Sequence, residues 1–207
     1  MNLRKYKLIW CLCVLVLSVF VNITAEEQEI INIKNYFPTQ IGASWSYAGS
    51  TGESLVTVMC MNTGLDNDDG GELYLFSEIY GQMGVTSVLY GLKNNNIIAL
   101  GGKNITGQYY QNQPPFPVVL APPNNKGKYI DKGDVCHYVT SIATCKYDDK
   151  IFKDCILVEE KIILNGKPIR TKRSYYASGI GLVYVTLVND KGVEEVFMKL
   201  IKASLLQ

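Results

Sequence analysis

The residues able to do chemistry in this chain are few, and their spacing narrows what they can do. His137 is the only histidine, which excludes an HExxH zinc site and any multi-histidine metal cluster. A histidine-based serine triad would have to use it, yet no G-x-S-x-G elbow occurs, and no S-x-x-K offers a lysine base. Cys136 adjoins His137, but neighbours along a strand project to opposite faces and would not share a proton. A zinc set of Cys136, His137, Cys145 and Cys155 fails on the same geometry and has no CxxC pair. Asp66-Asn67-Asp68-Asp69-Gly70-Gly71-Glu72 invites a calcium reading. Aligned as an EF-hand loop, it puts Gly70 at position five and Ser77 at position twelve, so the bidentate carboxylate is missing. A solvated hairpin loop is the simpler reading.

Glycoside hydrolysis needs two carboxylates converging about 5–9.5 Å apart. Glu159 and Glu160 are adjacent on a strand-like run and diverge, as do Glu194 and Glu195; Glu53, Glu72 and Glu78 would reach them only through the fold. Gly101-Gly102-Lys103 lacks the rest of a phosphate loop, and Gly179-Ile180-Gly181 has no helix pattern behind it. Asn104-Ile105-Thr106 fits the N-glycosylation sequon, which matters only in a eukaryotic source. No catalytic, cofactor-binding or metal-binding set is expected. The formal charge of +1 over 207 residues supplies no field for nucleic acid.

Aromatic side chains are the remaining resource. Tyr36, Phe37, Trp45, Tyr47, Tyr74, Phe76, Tyr80, Tyr90, Tyr109, Tyr110, Phe116, Tyr175, Tyr176 and Tyr184 are spread over most of the chain. Most are expected in the core or in cross-strand pairs. On the concave face of an unclosed sheet, some would be placed to hold a lipid tail or a sugar ring.

The elements that must position these groups follow a leader. Residues 1–7 are basic, 8–21 form an apolar run without charge, and Ala25 precedes Glu26-Glu27. This is the pattern of a signal peptide over residues 1–25; an uncleaved membrane anchor is the alternative, for which the run falls short of the roughly 17–25 apolar residues a spanning helix needs. Cys11 and Cys13 lie in the run without the tripeptide of a lipid-attachment box. The expected product is exported, periplasmic or extracellular, with no stable membrane span after cleavage. In that compartment Cys60, Cys136, Cys145 and Cys155 are disulfide candidates, with three connectivities open. A hairpin closed near residue 150 would put Cys145 opposite Cys155 and leave Cys60 with Cys136; buried free thiols are the alternative.

Residues 26–207 read as a single all-β domain. Residues 26–35 allow a helical turn or two. Ala43, Trp45 and Tyr47 alternate with Ser44, Ser46 and Ala48, the period of a half-buried strand. Strand-like runs follow at 54–61, 72–80, 85–92, 96–100, 135–143, 151–164, 169–176, 182–188 and 193–201. Turn clusters separate them, including Lys93-Asn94-Asn95 and the hairpin signal Asn165-Gly166. Five of the seven prolines fall within 114–123, which rules that segment out as a central strand and makes it a crossover or an edge. The fold expected is a curved antiparallel sheet or open barrel of about ten strands with little helix, in which two half-units would meet near residues 112–128.

Four patches resemble a group of bacterial exported, often lipidated proteins without established activity. Residues 36–47 are similar to its FP-x3-G-x2-W-x-Y opening, through Pro38, Gly42, Trp45 and Tyr47. Residues 152–158 resemble its FKDC strand. Residues 174–183 resemble its YYA-x-G-x-G-L-V segment, through Tyr175, Tyr176, Gly179 and Gly181. Phe116-Pro117 to Gly127-Lys128-Tyr129 faintly echoes the opening. The resemblance implies a curved antiparallel sheet, with periplasmic lipoprotein carriers as a shape analogy. Physically, Pro38 and Gly42 would turn the chain into the first strand, Trp45 would anchor the core, and Gly179 and Gly181 would permit a bulge or tight turn. The functional expectation is a non-catalytic envelope or secreted protein that binds an apolar ligand or an envelope protein partner. An envelope glycan hydrolase with dispersed carboxylates, or a purely structural surface module, is the alternative.

Overall fold

A computed structural model of the protein describes residues 31–63, 71–119, 127–131, 135–164 and 167–205. The expected leader and the acidic loop of residues 66–70 lie outside them. After a 3-10 turn at Ile33–Tyr36, twelve strands follow. They are β1 (Ser44–Ala48), β2 (Ser54–Met61), β3 (Glu72–Ile79), β4 (Val85–Lys93), β5 (Asn96–Lys103), β6 (Tyr109–Val119), β7 (Gly127–Asp131), β8 (Val135–Tyr147), β9 (Lys150–Leu164), β10 (Lys167–Ala177), β11 (Gly181–Asn189) and β12 (Glu194–Ser204).

All twelve join one sheet in the order β6-β5-β4-β3-β2-β1-β12-β11-β10-β9-β8-β7, and every described pairing is antiparallel. Each strand therefore lies beside its neighbour in sequence, β12 closes onto β1, and the one break in the cycle falls between β6 and β7. Residues 120–126, in the stretch where two half-units are expected to meet, lie outside the described residues; β6 and β7 on either side of it are the two edges of the sheet. Two more strands exist than the sequence pattern indicates, and they are the two edges. Pro114, Pro115 and Pro117 lie in β6, where a strand pairing on one side only tolerates missing amide donors. The other edge, Gly127-Lys128-Tyr129-Ile130-Asp131, is too short and polar to announce itself.

The sheet curves strongly. Tyr90 on β4 and Tyr176 on β10 stand six strands apart, which in a flat sheet is about 29 Å at the usual spacing of roughly 4.8 Å. Both nevertheless line one cavity, together with Val118 of the β6 edge. Residues 31–38 fill part of the trough. Ile31, Ile33 and Tyr36 are buried in a cluster with Ile97 from β5, Ile156 and Val158 from β9, and Tyr176. Asn95 holds this segment at one side: its Oδ1 accepts from the Ile33 amide (2.8 Å), and its Nδ2 donates to the Ile31 carbonyl (2.6 Å). Asn94 and Asn95 have φ of 51° and 60°, the left-handed pair of a two-residue hairpin.

The opposite face is closed by the chain itself. β8 and β9 run on to a two-residue turn at Asp148-Asp149, with Tyr147 paired to Lys150. Asp154 has φ 50°, a bend that breaks the alternation of β9 and leaves Cys155 and Ile156 both buried. Beyond this bend the hairpin tip lies over strands that β8 does not pair with. The Tyr147 ring packs 5.3 Å from that of Tyr184 on β11, its hydroxyl donates to the Leu200 carbonyl on β12, and Lys199 reaches Asp148 at 2.7 Å.

Candidate functional site

Strand alternation sends one set of aromatic side chains into the trough and another to the closed face. Along β3, Phe76, Glu78 and Tyr80 share a side, and register places Glu78 opposite Thr86 on β4 and Val58 on β2, with Val58 opposite Trp45 on β1. Phe76, Glu78, Tyr80, Val58 and Trp45, with Phe37, Tyr47, Tyr90, Tyr176, Leu182 and Met198, line a cavity of about 180 Å³. Its volume compares with the roughly 150 Å³ apolar cavity known to take benzene. Phe37, Phe76 and Tyr90 meet edge to face at centroid distances of 5.3–5.4 Å, the arrangement their ring quadrupoles favour.

Three patches singled out in the sequence build this wall by touching one another. The Trp45 indole donates to the Ile180 carbonyl (2.6 Å), and the Tyr47 hydroxyl donates to that of Leu182 (3.0 Å). The Gly179 amide donates to the Asn35 carbonyl (2.7 Å) and the Ser178 amide to that of Asp154 (2.9 Å). The Tyr36 hydroxyl donates to the Asp154 carboxylate (2.6 Å). Gly181 sits at φ 95°, and a Cβ there would come within 3.1 Å of Pro38 and 3.6 Å of the Trp45 indole. Its glycine is required by backbone conformation and by close approach at once. Gly42, φ 87°, turns the chain into β1 and donates its amide to the Cys60 carbonyl (2.8 Å). Tyr175 points away from this wall and stacks on Tyr184, centroids 3.9 Å apart.

Glu78 is the one charged residue among the described lining. Its Oε2 accepts from the hydroxyls of Tyr80 (2.8 Å) and Thr86 (3.0 Å); among the described residues its Oε1 has no hydrogen-bond partner. Burial, and then the facing Glu78 charge, push the Tyr80 and Tyr90 phenols far above their ordinary range. Tyr47 is raised chiefly by burial, with its neighbouring tyrosines and Glu78 adding to it. These phenols are neutral hydrogen-bonding groups in a largely dry site.

Of the carboxylates considered as hydrolytic pairs, Glu53 and Glu195 line a second cavity of about 500 Å³ with Arg170, and most of the others are ion-paired. Glu159 and Glu194 both bind Arg173, Glu160 pairs with Lys172, and Glu72 pairs with Lys34. Glu53 accepts from the Thr51 hydroxyl. Among the described residues, no three His, Cys, Asp or Glu side chains gather as a metal site. The side chains of Cys136 and His137 lie outside the described residues.

Cys145 and Cys155 come together with their sulfurs 2.7 Å apart, as two thiols rather than a bond. Register does not place them opposite each other: Cys145 faces Phe152 and Cys155 faces Ile142. The hairpin closes at Asp148-Asp149, near residue 150 as expected, and the two sulfurs meet although their residues are three places out of register. Cys60 is a buried free thiol on the Thr39 carbonyl (3.4 Å). Burial raises all three thiol pKa values, which leaves little reactive thiolate.

The chain matches no protein-family model and no curated protein. Among solved structures it is similar to an inferred exported protein with a YmcC-like fold from Bacteroides fragilis, at 13% identity and TM-score 0.44, covering 82% of this chain and 99% of that one. It is also similar to an inferred lipoprotein from Parabacteroides distasonis, at 12% identity and TM-score 0.45, covering 82% and 98%.

Proposed function

We propose that this protein is a non-catalytic, exported binding protein that holds an apolar ligand on the concave face of its sheet. The observation that carries this is the cavity itself. Seven aromatic residues from the 31–38 segment and strands β1, β3, β4 and β10 converge on it, with Tyr80 just past the end of β3, yet they leave about 180 Å³ unfilled. Protein interiors pack to crystal-like density, and an unfilled apolar space destabilises the fold in proportion to its volume. A sheet that fills its opposite face with its own hairpin has the means to fill this one too. Convergent rings and a few placed polar groups are the ordinary make-up of a small-ligand site. One lining carboxylate favours binding over glycan hydrolysis, which needs two. Export rests on the leader pattern of residues 1–25, and in an oxidising compartment Cys145 and Cys155 would close a disulfide within the covering hairpin.

Native mass spectrometry of protein purified from its own host tests the reading. A co-purifying apolar mass that leaves on organic extraction is expected. The neutral probe N-phenyl-1-naphthylamine should then brighten on the emptied protein and not on a Val58→Phe variant, which fills the cavity. Protein that is empty as isolated and indifferent to the probe would overturn it.

A further inference from the structure

We propose that the cavity selects an apolar ligand bearing a positively charged nitrogen, with Glu78 as the counter-ion. The proposal rests on the reading of the trough as an apolar-ligand site and names the chemistry that site prefers. A carboxylate facing an aromatic cavity is costly to desolvate unless something offsets its charge. The protein supplies two hydroxyl donors to Oε2, and no cation pairs with Glu78 among the described residues. Oε1 is left to accept from whatever occupies the cavity. On the same sheet Glu72, Glu159, Glu160 and Glu194 are each matched by Lys34, Arg173 or Lys172, whereas among the described residues no basic residue lines this cavity.

The surroundings suit the same charge. Phe76, Tyr90, Trp45, Tyr47 and Tyr80 line the cavity with Glu78. Aromatic faces attract an ammonium group within about 6 Å, most strongly where water is excluded. Those faces and the carboxylate repel an anion, so fatty acids and sulfated lipids are disfavoured by the groups that favour an amine. An ammonium on a membrane lipid and one on a free alkylamine offer the same chemistry.

Trp45 is the only tryptophan outside the leader and lines the cavity, so its fluorescence reports occupancy directly. Leader-free protein titrated with octylamine, octanol and octanoate should bind the amine at least tenfold more tightly than the alcohol, and the carboxylate least. Glu78→Gln should bring amine and alcohol within about twofold, chiefly through loss of amine affinity. Glu78→Asp, which keeps the charge, should retain part of the preference and serves should the glutamine variant fold poorly. Dihexanoyl phosphatidylethanolamine separates the sources: tighter binding than octylamine assigns a lipid headgroup, and weaker binding a free amine. Equal affinities of all three octyl probes for the wild type, or an amine preference that survives Glu78→Gln, would overturn this proposal and leave apolar binding standing. Failure of every probe would overturn both.

Discussion

The two faces of this sheet carry similar residues and end differently. On one, Tyr175, Tyr184, Tyr147 and Phe152 stack upon one another beneath the β8–β9 tip, and the chain supplies its own cover. On the other, Phe37, Phe76, Tyr90 and Trp45 also pack ring to ring, yet the 31–38 segment covers only part of the trough. Composition does not separate a core from a binding site here. The difference lies in how far a covering element reaches among the described residues: the hairpin extends to β12, whereas residues 31–38 leave the cavity part-filled. The covered face is stability; the part-covered face is the candidate function.

The largest expected effect strikes both faces. Burial raises the phenols of Tyr47, Tyr90 and Tyr176 on the open side and of Tyr147 and Tyr184 on the closed side, Tyr147 to about 12. A phenol whose folded pKa exceeds the unfolded value of about 10 stays protonated in the native state while the unfolded chain ionises. Stability from these groups is therefore complete below pH 10 and declines as pH rises from there toward the folded values. Urea midpoints should be flat up to about pH 8 and decline from there as the thiols of Cys60, Cys145 and Cys155 ionise in the unfolded chain. They should fall steeply above about pH 10, with most of the tyrosinate absorbance appearing together with unfolding. Ionisation of most tyrosines well before unfolding would show that neither face is dry.

Trp45→Ala should cost about 3–5 kcal/mol by urea denaturation, as expected for a truncated buried indole, and should enlarge the open-face cavity without loosening the β8–β9 tip. Amide exchange can check this: faster exchange across β8 and β9 would mean that the faces are not separable. On the closed face, oxidation of Cys145 with Cys155 should remove two hydrogens by mass and protect both from alkylation, while Cys60 reacts once the protein is unfolded. Reduction, or Cys145→Ser, should then lower stability by about 2–3 kcal/mol and leave Trp45 fluorescence unchanged. Smallest is the bend: Asp154→Ala, at φ 50° and without the Tyr36 hydrogen bond, should cost about 1–2 kcal/mol, and Asp154→Gly less. Equal costs for the two would place the effect in the lost hydrogen bond rather than in the backbone.

Much of the fold was legible because side-chain alternation is local. Ser-Trp-Ser-Tyr over 44–47, the Asn94-Asn95 turn and the proline-bearing 114–117 stretch each state their role within a few residues. The edge strand β7 escaped because edges are kept short and polar. Cys145 and Cys155 were brought together by the hairpin their spacing suggested, although in its constant register they are not directly paired. Glu78 was legible only as one of several dispersed carboxylates, with no sign of where it faces. Phe76-Ser77-Glu78-Ile79-Tyr80 reads as a strand with one polar residue on each side, and only pairing with β2 and β4 turns that carboxylate toward the rings.

What the sequence by itself determined is an antiparallel all-β body, edged by proline, in which Trp45 and the glycines at 42, 179 and 181 hold fixed structural posts. These follow from period-two patterning and from backbone conformations that few residues adopt. The tertiary structure alone decided which face is curled inward, how far each covering segment reaches, and that one glutamate faces an aromatic cavity. Those properties depend on the summed twist of twelve strands and on contacts between residues more than a hundred positions apart, such as Tyr36 with Asp154 and Trp45 with Ile180, which no local pattern encodes.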